Sequence, residues 1–169
     1  LSIPADAAIP VKNGIPQTYK RIPRHVKAVE AQFVLDRQPV ADDYTVLMIA
    51  DPQVKTFGVD GSMEAWHDSV APDAEAFRAS RNEPVYCVNL GDLVYNLMAA
   101  YDDYLDGAAQ IKCPTFNVIG NHDYDQGTMF ETEQGNVFYE SYVGPTHYSF
   151  DLGNFHYLVF NDIIYDRKS

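Results

Sequence analysis

Three short apolar runs, each followed at once by polar side chains, constrain the fold of this chain more than any other feature. They cover residues 46–50, 85–90 and 116–119. Each run reads as a β-strand because it is short, rich in β-branched or apolar residues, and bounded by polar or turn-forming residues. Strands that are apolar almost throughout are typical of a sheet covered on both faces.

The segments between these runs predict helices. In both segments, apolar residues recur every three or four positions, as on one face of a helix. Pro72 is expected to break or restart the first helix. The order strand, helix, strand, helix, strand predicts βαβ units and a parallel sheet. The apolar positions are Met63, Trp66, Val70, Ala74 and Phe77 in the first segment, and Leu97, Met98, Tyr101, Leu105 and Ala108 in the second.

The last third of the chain predicts a loop, a helix and a hairpin. Residues 124–144 are expected to form a loop beside the site, and this loop is expected to determine the substrate. A helix is predicted over residues 137–142. Two alternating segments around Gly153 and Asn154 predict a β-hairpin, because this dipeptide suits a tight turn.

The polar residues that follow the three strands are candidate metal ligands. Open parallel sheets bind ligands at the carboxyl ends of their strands, so these side chains are expected to converge. Carboxylate and carboxamide oxygens suit hard cations. Two cations about 3.5–4 Å apart can clamp the attacking and leaving oxygens of a phosphate ester, with metal-bound hydroxide as the nucleophile. The residues are Asp51 and Gln53 after the first strand, Asp92 after the second, and Asn121, His122 and Asp123 after the third.

In order and strand context, these segments resemble the motifs of calcineurin-like metallophosphoesterases, D-x-H, G-D-x-x and G-N-H-(D/E). The resemblance covers residues 44–162. It implies an α/β fold, the αββα metallophosphoesterase sandwich, of which this chain holds the N-terminal portion. It also implies a phosphomonoester or phosphodiester substrate and two divalent or trivalent metal ions drawn from Mn, Fe, Zn and Mg.

The same resemblance implies a role for each candidate residue. Asp51 and Gln53 would bind the first metal, Asp92 would bridge both, and Asn121 would bind the second. His122 would lie over the phosphate to stabilise charge or protonate the leaving group. Asp123 would orient His122 without itself contacting a metal.

Two positions depart from the usual pattern. Gln53 stands where most members have histidine, and a carboxamide binds transition metals less strongly than imidazole. A subset of the family, including bacterial multidomain proteins, is similar in carrying D-P-Q. Tyr95 matches the G-D-x-x-Y of purple acid phosphatases, whose tyrosine binds ferric iron, but their D-x-G motif is absent. Tyr95 is therefore either a ligand or a packing residue in the wall of the pocket.

The later histidines of the family, including its G-H-x-H pair, have no counterpart here. After Asn121 the remaining histidines are His122, His147 and His156, and the last two are expected to be structural. We therefore expect a fragment of a larger polypeptide, poorly active alone, whose apolar surface is covered by a second half of the domain or by self-association. The alternative is a noncatalytic metal- or ligand-binding module with a degenerate phosphoesterase fold.

Composition narrows the function classes. A net charge of −12 argues against general binding to nucleic-acid backbone, which needs a basic face. No apolar run approaches the length of a membrane span. The two cysteines, Cys87 and Cys113, are expected to be buried thiols, which leaves the compartment open, including a periplasmic or secreted parent protein.

The amino-terminal part of the chain differs in composition from the rest. Residues 1–28 contain prolines and basic residues, which predicts a connector or the tail of a preceding domain. Residues 29–169 are predicted to be the N-terminal part of a metallophosphoesterase domain. Alternating apolar residues over 29–35 predict a further strand.

Overall fold

The computed structural model describes residues 2–22, 25–55, 61–125, 127 and 135–164. It is a mixed α/β structure built on a parallel three-stranded sheet, as predicted. The strands are β1 (Val11–Lys12), β2 (Ile15–Pro16), β3 (Thr45–Ile49), β4 (Val85–Asn89), β5 (Thr115–Asn117), β6 (Tyr148–Leu152) and β7 (Phe155–Val159). The helices are α1 (Ser62–Ala65), α2 (Ala71–Ala79), α3 (Tyr101–Ala108) and α4 (Val137–Tyr142), with a π-helical turn at Trp66–Val70 and 3₁₀ turns at Met98–Ala100, Ala109–Ile111 and Asn121–Asp123. Within the predicted loop 124–144, residues 126 and 128–134 lie outside the described residues.

The central sheet has the order β3-β4-β5, with both pairs parallel. Helices α1–α3 cover one of its faces through a core that includes Trp66, Tyr101, Tyr104 and Cys87. Trp66 stacks on Tyr104 at 5.3 Å and donates its indole N–H to the Tyr104 carbonyl at 3.0 Å. Because both strand pairs are parallel, the carboxyl ends of all three strands lie at one edge of the sheet.

The first predicted helix is interrupted, as the proline suggested. The Ala71 N–H bonds to the Trp66 carbonyl five residues back, and Pro72 follows with no N–H to donate. This wider turn rotates the remaining helix relative to α1. As a result Ala71 and Ala74 are buried, whereas Val70 and Phe77, which the regular spacing placed on the core face, are about 40% exposed.

The β6–β7 hairpin covers the other face of the sheet. Phe150 of β6 stacks on Phe116 of β5 with ring centroids 3.6 Å apart, and the hydroxyls of Tyr44 and Tyr157 lie 2.9 Å apart. The hairpin turn is the predicted one, and Gly153 adopts a positive φ of 53° in it. In the part of the chain that the structure describes, the layers therefore follow the order helices, parallel sheet, hairpin.

The amino-terminal segment packs against this unit. β1 and β2 form a hairpin through Asn13 and Gly14, and the Thr115 N–H donates to the Gly14 carbonyl at 2.8 Å. Ile3 forms a bridge with Phe150. Residues 3–18 thus contact β5 and β6, and the domain boundary near residue 28 stays a prediction.

The prediction of a strand over residues 29–35 is wrong. Residues 25–36 form no strand, and Val29 and Val34 are 52% and 80% exposed. The next β-bridge along the chain lies after this segment and joins Arg37 to Ala7. Alternation of apolar residues is not sufficient for a strand here, since residues 29–35 pair with no strand in the described part of the chain.

Two other predictions concern single features. Cys87 and Cys113 are free thiols and both are buried, as expected. Across the described ranges, none of the helices combines the length and apolar character needed to traverse a bilayer.

Candidate metal-binding site

The segments that follow β3 and β4 stay paired beyond the ends of the strands. The Gln53 N–H donates to the Asp92 carbonyl at 2.8 Å, and the Val54 N–H donates to the Leu93 carbonyl at 3.0 Å. The Tyr95 N–H donates back to the Val54 carbonyl at 3.2 Å. Main-chain hydrogen bonds therefore hold the first two candidate segments side by side.

The third segment joins them through the Asp92 side chain. The His122 N–H donates to Asp92 Oδ1 at 3.0 Å, and the Asn96 N–H donates to the His122 carbonyl at 3.0 Å. All three strand-end segments thus meet at one edge of the sheet.

The Asp92 carboxylate lies at the centre of this arrangement and is buried. Gln53 Nε2 approaches its Oδ2 at 3.4 Å, and His122 Nε2 lies 3.9 Å from the same oxygen. No lysine or arginine among the described residues forms an ion pair with this carboxylate. A buried carboxylate without a lysine or arginine partner is a suitable place for a cation.

Two glycines allow the close approach around Asp92. Gly91 has φ of +102°, a conformation that favours glycine. A Cβ atom on Gly120 would lie 2.0 Å from Asp92 Oδ1 and 2.2 Å from its backbone nitrogen. The glycine that precedes Asn121 is therefore a requirement of this site rather than of the turn alone.

Asp51 and Asn121 lie next to this cluster in sequence, and both are exposed. Asp51 follows β3 in the left-handed region with φ of 49°, and Asn121 begins a 3₁₀ turn. In the described part of the chain, no group of three or more His, Cys, Asp or Glu side chains is placed to hold a metal ion. The candidate donor set consists instead of two carboxylates and two carboxamides. Its role as a metal shell stays a prediction.

Asp123 contacts the backbone around the site. Its carboxylate accepts the Gly120 N–H at 2.7 Å and the Val94 N–H at 3.1 Å, and the Tyr101 hydroxyl approaches it at 3.3 Å. Burial raises the pKa of Asp123 to about 7, while these backbone N–H groups act to lower it. Asp123 therefore holds the loop that carries His122, but the side chain that contacts the imidazole is a different one.

That side chain is Asn96. His122 Nδ1 lies 2.9 Å from Asn96 Oδ1, and this contact takes the place expected for Asp123. The sequence offered no specific signal for it, since Asn96 directly follows the Tyr95 position of the second motif and belongs to none of the recognised patterns.

Tyr95 forms a wall of the site. Its ring stacks on the His122 ring with centroids 4.3 Å apart, and Lys55 Nζ lies 4.2 Å from the centre of the Tyr95 ring. This geometry describes a residue that packs against His122. Whether its hydroxyl also binds a metal stays a prediction.

A buried hydrogen-bond network supports the strand ends from below. Asn89 Nδ2 donates to the Tyr104 hydroxyl at 2.9 Å, and that hydroxyl donates to Asn117 Oδ1. The Tyr139 and Tyr148 hydroxyls donate to the Asn117 carbonyl at 2.9 and 2.8 Å. Burial raises the pKa of all three tyrosines, so they remain protonated donors. The network ties α3, α4 and the hairpin to the carboxyl ends of β4 and β5.

Comparison of the chain with protein-family models, with curated proteins and with solved structures gives no match. Function is therefore inferred from the motifs and from the geometry of the site.

Proposed function

We propose that this chain is the N-terminal portion of a metallophosphoesterase domain and that the protein containing it hydrolyses a phosphate ester with the help of metal ions. One observation carries the proposal. The buried Asp92 carboxylate lies between Gln53 and His122, which come from separate strand-end segments. Convergence at the carboxyl edge of a parallel sheet is where such folds bind ligands.

The residues at this edge fit a pair of hard cations. Asp51, Gln53, Asp92 and Asn121 would hold them, with Asp92 shared because it is central and has no lysine or arginine partner among the described residues. Carboxylate and carboxamide oxygens are the ligands that Mg²⁺ and Mn²⁺ prefer. When bound, a pair of divalent cations would polarise the phosphoryl oxygens and lower the pKa of a bound water.

His122 would act on the substrate. It is half-buried, and its Nε2 lies on the Asp92 side of the ring, 3.9 Å from Asp92 Oδ2. From there Nε2 would stabilise charge on the phosphoryl group or give a proton to the leaving oxygen. Asp123 would keep the His122 turn in place through its bonds to Gly120 and Val94.

The proposal includes the αββα architecture. The described helices, parallel sheet and hairpin are compatible with three of its four layers. The exposed apolar residues at β7 support a further layer, since Leu158 in the strand is 58% exposed and Phe160 directly after it is 63% exposed. A helical layer or a second copy of the chain would cover this apolar surface.

The competing proposal is a noncatalytic module that binds a metal or another ligand in a degenerate site. Gln53 favours it, because its Nε2 faces Asp92 Oδ2 and the carboxamide is a weaker ligand than imidazole. The two proposals differ in turnover, and a module that binds a ligand other than a metal would differ in metal binding as well.

Replacing Asp92 with asparagine tests both. The variant keeps the shape of the side chain, and asparagine tolerates the φ of 50° at this position. We expect Asp92→Asn to weaken Mn²⁺ binding, followed by calorimetry, by at least about tenfold. In the intact protein it should also abolish Mn²⁺-dependent hydrolysis of p-nitrophenyl phosphate and bis-p-nitrophenyl phosphate.

Asp106→Asn is the matched control, because Asp106 is exposed on α3 and should change neither quantity. Equal Mn²⁺ affinity in wild type and Asp92→Asn would refute the metal site. Tight, Asp92-dependent binding without hydrolysis of either ester in the intact protein would favour the noncatalytic module.

A further inference from the structure

The His122 ring is held by a neutral side chain. Its Nδ1 lies 2.9 Å from Asn96 Oδ1. A carboxamide oxygen can only accept a hydrogen bond, so Nδ1 is the donor and carries a proton. In the neutral ring, Nε2 is then the nitrogen with the free lone pair. This is the nitrogen on the Asp92 side, 3.9 Å from Asp92 Oδ2.

Asn96 holds the main chain of the same residue as well. Its N–H donates to the His122 carbonyl at 3.0 Å, so the two residues are joined by one backbone and one side-chain hydrogen bond. Asn96 has φ of 57°, in the left-handed region that asparagine adopts more readily than most residues. The backbone conformation and the side-chain contact therefore both suit asparagine at this position.

Tyr95 restricts the ring from its flat side. The two rings are stacked 4.3 Å apart with an angle of 23° between their planes. Rotating the imidazole by half a turn within this stack would place a carbon where Nδ1 now meets Asn96, and the hydrogen bond would be lost. Stacking and hydrogen bond together select one orientation of the ring.

We propose that Asn96 is a positioning residue that fixes His122 as the tautomer protonated on Nδ1, so that Nε2 faces the Asp92 side of the site. Because Asn96 is neutral, it orients the ring without adding a negative charge near Asp92. The catalytic consequence, a correctly presented Nε2, rests on the proposed function. The tautomer itself does not.

The test is the tautomer of His122, read from ¹⁵N chemical shifts and long-range ¹H–¹⁵N correlations of the chain labelled on histidine. Spectra are taken near pH 9, well above the ordinary histidine pKa of about 6.5. Two variants form a matched pair. Asn96→Gly tolerates positive φ but removes the acceptor, whereas Asn96→Asp tolerates positive φ and keeps an acceptor oxygen.

His67 is the internal control. Its Nδ1 lies 3.0 Å from Gln110 Nε2 and its Nε2 lies 2.9 Å from the Asp103 carbonyl. Since an amide nitrogen donates and a carbonyl accepts, His67 is protonated on Nε2, the opposite tautomer. Its signals should be the same in wild type and in both variants, which also reports that the fold is intact.

We expect wild type and Asn96→Asp to show His122 protonated on Nδ1, and Asn96→Gly to lower the Nδ1-H to Nε2-H ratio by about fivefold or more, the effect of one hydrogen bond. A wild-type His122 protonated on Nε2, or a ratio unchanged in Asn96→Gly while His67 keeps its signals, would overturn the inference. If the tautomers behave as expected and Asp92→Asn leaves hydrolysis in the intact protein unchanged, the proposed function fails and the role of Asn96 in positioning the ring stands.

Discussion

Gly120→Ala is the substitution that most directly probes the packing of the site. Gly120 has φ of −108° and ψ of 177°, which alanine adopts without strain, so the backbone itself does not forbid the change. The cost comes from one neighbour. The new Cβ would lie 2.0 Å from Asp92 Oδ1 and 2.2 Å from the Asp92 nitrogen, closer than carbon and oxygen or nitrogen can approach.

The magnitude follows from what must move. Overpacking of this kind costs about 1–3 kcal/mol. Moving the Asp92 carboxylate away also weakens the bond that it accepts from the His122 N–H at 3.0 Å, for which about 1.5–3 kcal/mol is typical when one partner is charged. Because these effects overlap, we expect a total loss of about 2–4 kcal/mol in the free energy of unfolding. For a domain of this size, that lowers the melting temperature by about 5–15 °C.

Thermal melts and Mn²⁺ calorimetry on three variants separate site effects from stability. In Gly107→Ala the new Cβ would lie 2.0 Å from Trp66 Nε1 in the helical core, so this variant should lose stability and, at temperatures where it is folded, bind Mn²⁺ like wild type. In Gly127→Ala the new Cβ would meet no atom of the described residues closer than 3.4 Å, and this variant should change neither quantity. Gly120→Ala should lose both. A Gly120→Ala protein with wild-type melting and wild-type Mn²⁺ affinity would refute the close approach of Gly120 to Asp92.

Two further predictions concern the scaffold. Trp66→Phe removes the indole donor to the Tyr104 carbonyl and part of a buried ring, so chemical denaturation should show a loss of about 1–3 kcal/mol; an unchanged unfolding midpoint would contradict this role. Glu83 has its pKa lowered from 4.5 to about 2, first by the Thr45 hydroxyl and also by Arg81. A carboxyl group with a depressed folded-state pKa adds stability above pH about 4.5, and this is lost as the pH falls towards 2. The melting-temperature difference between wild type and Glu83→Gln should therefore shrink over that range, and a constant difference would count against this linkage.

Much of the fold could be predicted because its signals are local. The three parallel strands and the β6–β7 hairpin follow from apolar runs ended by turn residues, and helix α4 matches its predicted bounds. The wrong predictions concern segments whose structure depends on contacts with other parts of the chain or on a change of helix type. Residues 29–35 alternate but pair with no strand among the described residues. Val70 and Phe77 are exposed because the π-helical turn before Pro72 changes the phase of the helix. The Asn13-Gly14 hairpin carried a usable turn signal inside a segment predicted to be a connector.

The site was predictable at the level of which segments meet, since parallel strands bring their carboxyl ends to one edge. Which side chain touches which could not be predicted in the same way. Asp123, adjacent to His122 in sequence, was expected to orient the ring, but it turns inward to bind Gly120 and Val94. Asn96, 26 residues away, fills that place because the Asn96 N–H pairs with the His122 carbonyl. That pairing depends on the paths that the loops after β4 and β5 take beyond the sheet. The spacing of the motifs in the sequence does not determine these paths.

The backbone itself distinguishes this edge from the rest of the described structure. Six non-glycine residues among the described ranges have positive φ, and four of them, Asp51, Gln53, Asp92 and Asn96, follow β3 or β4 at the candidate site. Such conformations cost of order 1 kcal/mol or more and persist where the surroundings fix them. Here the fixing contacts are the main-chain bonds between the loops, from Gln53 to Asp92 and from Asn96 to His122. Three of the four residues are Asp or Asn, which tolerate the left-handed region best, and Gln53 is the exception. The positive φ of Gln53 has a larger conformational cost than that of the other three residues, and the Gln53 carboxamide lies next to Asp92. This favours a role for Gln53 in the site over a role in the turn alone.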